Sequence, residues 1–409
     1  MKKIGIIGAG ASGLYAAINL KNENTDVTIL EKNASIGKKI LMTGNGRCNI
    51  TNAAFYDDFL ENIVSNPKFL YSSFNNHDNY ASMDFFEKNG LSLITEKNLR
   101  VFPKTQKSSD VIKFFENKII ESNIKLVTNA KVKEIYKKDC FIVKSDFKEY
   151  KFDTLIIATG GLSYPNTGST GDGYIFAKNF GHKITKTYPS LVPIFFENKD
   201  MTNIKAISLE NVNIKITSDK ESYTENGSIL ITKNFISGPC VLKISSFLVG
   251  KNININEISL DLVSEDYDYI DNLLIKIFDK NPNKDISNVL SEVLTNALVE
   301  VILTRSDIKK DKKANQITKD ERNKLIENIK NFNLKFDRFA GFNSAVITKG
   351  GIEVKEINPK TMESKLVKDL YFIGEVLDID ALTGGFNLQI AFTTAFACAS
   401  AIKESVWHI

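Results

Sequence analysis

Ile4-Gly5-Ile6-Ile7-Gly8-Ala9-Gly10-Ala11-Ser12-Gly13-Leu14 joins an apolar run to a glycine-spaced turn near the start of the chain. Residues 3–7 read as a buried parallel strand, 13–20 as the helix after it and 26–31 as a second strand, which together make one βαβ unit. The Gly8-x-Gly10-x-x-Gly13 spacing falls between strand and helix. There Gly8 permits the tight turn, Gly10 lets a diphosphate approach the backbone, and Gly13 lets helix and strand pack closely. Glu31 ends the second strand about 20 residues on, where a carboxylate accepts hydrogen bonds from a ribose diol. The unit reads as a dinucleotide site.

Composition narrows the rest. The chain has 409 residues, 43% hydrophobic and 25% charged, with 53 basic against 49 acidic side chains and a net charge of +4. These are ordinary globular values, long for one domain and without the basic excess of a nucleic-acid binder, so a small-molecule partner is expected and no nucleic acid. Cys48, Cys140, Cys240 and Cys398 are scattered, as reduced thiols are, and no His/Cys/Glu cluster has metal-ligand spacing. Met1-Lys2-Lys3 before the apolar run mimics a signal peptide, but the glycines are better explained by the dinucleotide turn. No apolar run approaches the roughly 18 residues of a membrane span. A cytoplasmic protein with no membrane partner and no metal is expected; the oligomeric state is not legible.

Along the chain, helical patterns at 68–74, 81–88 and 110–121 are followed by short strands at 125–127, 131–136 and 141–144. A buried strand at 154–158 follows. From 191 the runs 204–216, 228–231, 241–245 and 253–262 read as strands without alternating helices, and 265–334 reads as helical. The β/α character then returns, with strands at 345–347 and 370–373 and a helix at 387–403. The expected fold class is α/β: a Rossmann-like dinucleotide-binding domain made from both chain ends, residues 1–190 and 341–409. A β-rich substrate domain is inserted at 191–264, with part of 331–344, and a small helical domain at 265–334.

Three features point to a flavin on the dinucleotide. The loop 36–52 packs Gly37, Gly44 and Gly46 with Lys39, Asn45, Arg47, Cys48 and Asn49, offering backbone donors and a guanidinium to a pyrophosphate or a flavin edge. The strand ending in Ala158-Thr159-Gly160 lets the chain pass close to a cofactor. In the third, Gly374-Glu375 offers a carboxylate to ribityl hydroxyls, and Gly384-Gly385-Phe386-Asn387-Leu388 opens the last helix, whose N-terminus suits the edge where a reduced flavin carries negative charge. Gly385 is expected to lie against the isoalloxazine. Ala11 and Ser12 of the first turn, Lys32 after Glu31, and Asp172 complete the candidate set. No catalytic residue is assigned. Cys48 lacks a partner thiol and reads as structural, and His77, His182 and His408 read as packing or capping residues.

These stretches resemble bacterial FAD-dependent oxidoreductases of the glutathione-reductase-like superfamily, in the subgroup of the aminoacetone oxidase and dehydro-bile-acid reductase flavoproteins. The resembling segments are 39–52, 158–172, 191–193, 350–351, 356–364 and 374–389. The resemblance implies FAD held non-covalently by Gly8, Gly10, Gly13 and Glu31, with Arg47 and Asn49 beside it and Val132 meeting the adenine through its backbone. It implies hydride transfer between flavin N5 and a small organic substrate, with NAD(P)H as a transient co-substrate. Two alternatives stand beside this: an oxygen-using oxidase of a small amine such as aminoacetone, and a flavin-bound RNA-associated or regulatory protein. The run Lys309-Lys310-Asp311-Lys312-Lys313 is the basic stretch that bears on the last, and it reads as a solvated face.

Overall fold

The computed structural model describes residues 1–407; His408 lies outside the described residues. Lys2–Ile7 (β1) and Thr25–Leu30 (β2) flank the helix Ala11–Leu20 (α1), and Lys125–Val127 (β3), Thr154–Ile157 (β4) and Leu370–Phe372 (β5) complete a five-stranded parallel sheet. Its order is β5-β4-β1-β2-β3. The strand order therefore reverses between β1 and β4, and open α/β sheets bind ligands beyond the carboxyl ends at such a switch point. Ile4, Ile6, Leu155, Ile156 and Ile157 are fully buried, which is why these strands read as continuous apolar runs.

Three further helices are Asn79–Lys88 (α2), Asp172–Asn179 (α3) and Phe386–Trp407 (α4). Asp78 caps α2 through the Ala81 N–H, and Gly90, at φ 97°, follows its end. Helix α4 packs along α1. Its apolar residues face all round, as suits a helix enclosed by protein, and Ile390, Phe392, Ala395 and Ile402 are buried in the same core as the sheet. Among the described residues no helix is long and apolar enough to cross a membrane.

The chain divides into two compact units, residues 1–190 with 342–409, and residues 191–341. The second unit carries a seven-stranded sheet built around the hairpin Ala206–Ser218 and Ser222–Thr232. Helices Tyr267–Lys280, Asn296–Arg305 and Lys319–Lys330 share one apolar core with that sheet, and Phe332–Leu334 pairs with Ile255–Asp261. Residues 241–245, expected as a strand, lie instead in the helix Pro239–Leu248. The reason is local: Gly238 at φ 110° turns the chain and Pro239 occupies the first helical turn, where its missing N–H costs nothing. A five-residue apolar run has no period long enough to reveal this. Lys312 and Lys313 are paired with Glu321 and Asp285, so two lysines of the basic run are locally neutralised.

Candidate functional site

At the β1–α1 turn the three glycines stand in different surroundings. A Cβ on Gly8, which has φ 107°, would lie 2.5 Å from the Ala158 carbonyl oxygen, and one on Gly13 would lie 2.0 Å from that of Gly8. A Cβ on Gly10 would meet nothing within 4 Å. Two glycines thus serve packing and the third leaves open space on a cavity floor. The first backbone bond of α1 runs from the Leu14 N–H to the Gly10 carbonyl at 3.0 Å. The preceding N–H groups of Ala11, Ser12 and Gly13 have no intrahelical acceptor and suit an anion.

Glu31, at the carboxyl end of β2, is 7% exposed and lines the same cavity. Its Oε2 accepts from the Ala9 N–H at 2.8 Å, and its Oε1 accepts from the Asn33 N–H at 2.8 Å and from Asn33 Nδ2 at 2.7 Å. A carboxylate offers about four acceptor positions and three are taken here, so this one is rigidly aimed with about one left for a ribose hydroxyl. Ala130 and Val132 stand on the same wall. Lys32 Nζ meets Asp172 Oδ2 at 2.8 Å and Thr170 Oγ1 at 2.5 Å, so the two expected site residues neutralise each other at the start of α3.

Toward the other end, Glu375 Oε1 accepts from Ser163 Oγ at 2.5 Å and the Thr348 N–H at 3.0 Å, while its Oε2 accepts from Lys39 Nζ at 2.7 Å. Lys39 also donates to Ser163 Oγ at 2.8 Å. Thr159 Oγ1 is buried at the cavity without a hydrogen-bond partner. Asn387 turns back on its own loop, accepting from the Ala381 N–H at 2.9 Å and donating to the Ala381 and Leu382 carbonyls. Gly160 and Leu388 line the cavity beside these groups. Val346 and Ile347 add an apolar wall that sequence reading missed, because nothing local marks an apolar pair nearly 200 residues away as part of this site.

Gly44, Asn45, Gly46, Arg47, Cys48, Asn49, Gly374, Gly385 and Phe386 are not among the cavity-lining residues. Arg47 Nη1 donates to Glu96 at 3.1 Å and Gln106 at 2.9 Å, and its guanidinium lies 4.1 Å from the Phe102 ring centroid. It ties the glycine loop to the segment around Glu96. Burial pushes the Cys48 thiol up to about 12, so no thiolate forms there near neutrality. Asn49 Oδ1 is buried without a partner. Gly374 abuts Ser12, and Phe386 packs edge-on against Phe59. A Cβ on Gly385 would lie 2.4 Å from the Thr51 carbonyl carbon and oxygen. That glycine lets helix α4 approach the strand Thr51–Asn52.

His182 donates or accepts between Glu356 Oε2, at 3.0 Å from Nδ1, and Ser364 Oγ, at 2.8 Å from Nε2. The array resembles a nucleophilic triad in outline only. Ser364 Oγ also accepts from the Leu366 and Val367 N–H groups at 3.1 and 2.9 Å, which engages the lone pairs a nucleophile needs. His77, also buried, has its pKa lowered by burial to about 4 and stays neutral.

Taken together, the donors at α1, the aimed carboxylate of Glu31, the Lys39–Glu375 pair and the unpartnered Thr159 hydroxyl fit an extended dinucleotide cofactor with a diphosphate at Gly10. The family model described as HI0933-like protein Rossmann domain matches residues 2–401. A ribosomal RNA dihydrouridine synthase of Haemophilus influenzae is 30% identical over 98% of this chain and 98% of its own length. A 3-dehydro-bile acid delta(4,6)-reductase of Clostridium scindens is 28% identical over 99% of this chain and its full length. Among solved structures, 3-ketosteroid delta1-dehydrogenase from Sterolibacterium denitrificans shares the fold at a TM-score of 0.52 and 11% identity, covering 99% of this chain and 100% of that one.

Proposed function

The chain belongs to the HI0933-like family of FAD-binding Rossmann proteins, and from that premise we propose that it is an FAD-dependent reductase of carbon–carbon double bonds conjugated to a carbonyl. The observation that carries this reading is what two full-length relatives have in common. One is named for making dihydrouridine, which is uridine with its ring double bond saturated; the other is named for reducing the delta(4,6) system of a 3-dehydro bile acid. Each name describes two hydrogens added across an electron-poor double bond. Substrate, NAD(P)H and one proton give saturated product and NAD(P)+, so a nicotinamide visiting transiently balances the reaction.

FAD, when bound, supplies the hydride chemistry. The chain's part is binding and orientation. The N–H groups at the start of α1 would hold the diphosphate beside Gly10, Glu31 the adenosine ribose, and Glu375, steadied by Lys39 and Ser163, the ribityl region. Leu388, Val346 and Ile347 would keep water from the cofactor.

The test is anaerobic. FAD-loaded protein is mixed with NADH or NADPH, then with an unmodified ribosomal RNA fragment or a 3-oxo-4-ene steroid, and products are weighed by mass spectrometry. A gain of two hydrogens in either substrate supports the reading and names the substrate class. Loss of yellow colour with nicotinamide, recovered with oxygen alone and with neither substrate, overturns it in favour of an oxidase.

A further inference from the structure

Gln389 lies in the first turn of α4, fully buried, three residues beyond the start of that helix. Its Oε1 accepts from Thr51 Oγ1 at 2.8 Å. Its Nε2 has three acceptors in reach: the Asp78 carbonyl at 3.0 Å, Ser82 Oγ at 2.8 Å and Thr393 Oγ1 at 3.1 Å. One amide thus joins α4, the strand Thr51–Asn52 and the start of α2. The same strand and helix are in backbone contact at Gly385, and Asn52 Nδ2 donates to the Gly384 carbonyl at 3.1 Å.

The chain of hydrogen bonds continues. Ser82 Oγ stands 3.2 Å from His77 Nε2, and the Tyr15 hydroxyl stands 2.7 Å from the same nitrogen. Tyr15 belongs to α1. Ser82 Oγ accepts from Gln389 Nε2, and both hydroxyls meet Nε2 of a His77 that burial holds neutral. A continuous polar path therefore links the two helices whose N-terminal turns face the cavity, α1 through Gly10, Ala11 and Ser12 and α4 through Asn387 and Leu388. Buried networks of this kind specify one arrangement when every member is satisfied.

We propose that Gln389 is a positioning residue. It fixes the first turn of α4 against Thr51 and, through Ser82 and His77, in register with α1, and so sets the cofactor's affinity and the balance between its oxidised and reduced forms. The proposal rests on the FAD reading above. Losing the amide lets the N-terminus of α4 drift from the cofactor edge that becomes negative on reduction, which weakens binding of the reduced form more than the oxidised.

Gln389→Met and Thr51→Val are close in shape to the native side chains and remove the bond from either end; Thr51→Ser retains it. Three quantities are read: FAD dissociation constant by fluorescence, two-electron potential against a reference dye, and melting temperature of the apoprotein. Gln389→Met is expected to weaken FAD about tenfold and to favour the oxidised form by a further tenfold, a downward shift of about 30 mV for a two-electron couple. Thr51→Val should move both in the same direction, Thr51→Ser should match wild type, and the double variant should be no worse than Gln389→Met. A lower apoprotein melting temperature with unchanged affinity and potential overturns the proposal. If Gln389→Met does not fold, Thr51→Val decides by the same criterion. Wild-type protein that takes up no FAD overturns the underlying reading as well, a result distinct from variants that bind FAD as wild type does.

Discussion

Asp380 shows how burial sets the behaviour of a single residue. It is fully buried just before α4, and burial pushes its carboxyl up from 3.8 to about 6, with Ser65 and Lys349 pulling the other way. The folded protein therefore binds the Asp380 proton more tightly than the unfolded chain. Its stabilising contribution is complete below pH 3.8 and is lost as pH rises through 6. At neutral pH the ionised carboxylate costs about 3 kcal/mol, the linkage equivalent of that shift. His77 has the opposite slope. Its pKa falls from 6.5 to about 4, so its contribution is present above 6.5 and declines as pH falls toward 4. Asp380→Asn is expected to be more stable than wild type by about 2–3 kcal/mol at pH 7.5, with the gain vanishing near pH 4. Urea unfolding at the two pH values checks this; an equal gain at both would mean that charge is not the cause.

At the scale of elements, the β1–α1 turn was legible because each glycine answers a separate steric demand. Gly10→Ala places a methyl in open space at a negative φ of −87°, so its stability should stay within about 0.5 kcal/mol of wild type while the methyl blocks the diphosphate. Gly13→Ala drives a methyl into the Gly8 carbonyl and should cost about 1–3 kcal/mol as well as FAD. Denaturant midpoints and FAD titration separate the pair; loss of stability in Gly10→Ala would show that the space serves packing. Other elements left weaker traces in the sequence. The two-residue strand Thr51–Asn52 pairs with Arg100–Pro103, a contact that no periodicity announces. Arg47 reads as a cofactor ligand because guanidinium, amides and glycines crowd one loop; the fold pairs its charge with Glu96, a partnership invisible until the loops meet. Glu375 was found from its place after β5, whereas Ser163 and Thr348, which orient it, come from segments that only the fold brings together.

For the whole molecule, the useful fact is that one core is continuous in sequence and the other is not. Residues 191–341 bury their own apolar cluster, including Ile214, Ile258, Leu274, Leu298, Ile329 and Phe332, and enter and leave the chain at single points. Residues lining the cofactor cavity all belong to 1–190 and 342–409. A ligand stabilises only what it binds in the folded state, by about 2.7 kcal/mol at a concentration of 100 times its dissociation constant. The full chain should then gain an FAD-dependent transition in calorimetry. Residues 191–341 expressed alone should fold cooperatively, since about 150 residues suffice for an independent core, and should melt at a temperature indifferent to FAD. If that segment melts without cooperativity, its core depends on the flanking chain and the two units are one folding entity. If FAD raises its melting temperature, the cofactor has a binding surface on it, and the assignment of the cavity to the two chain ends alone fails.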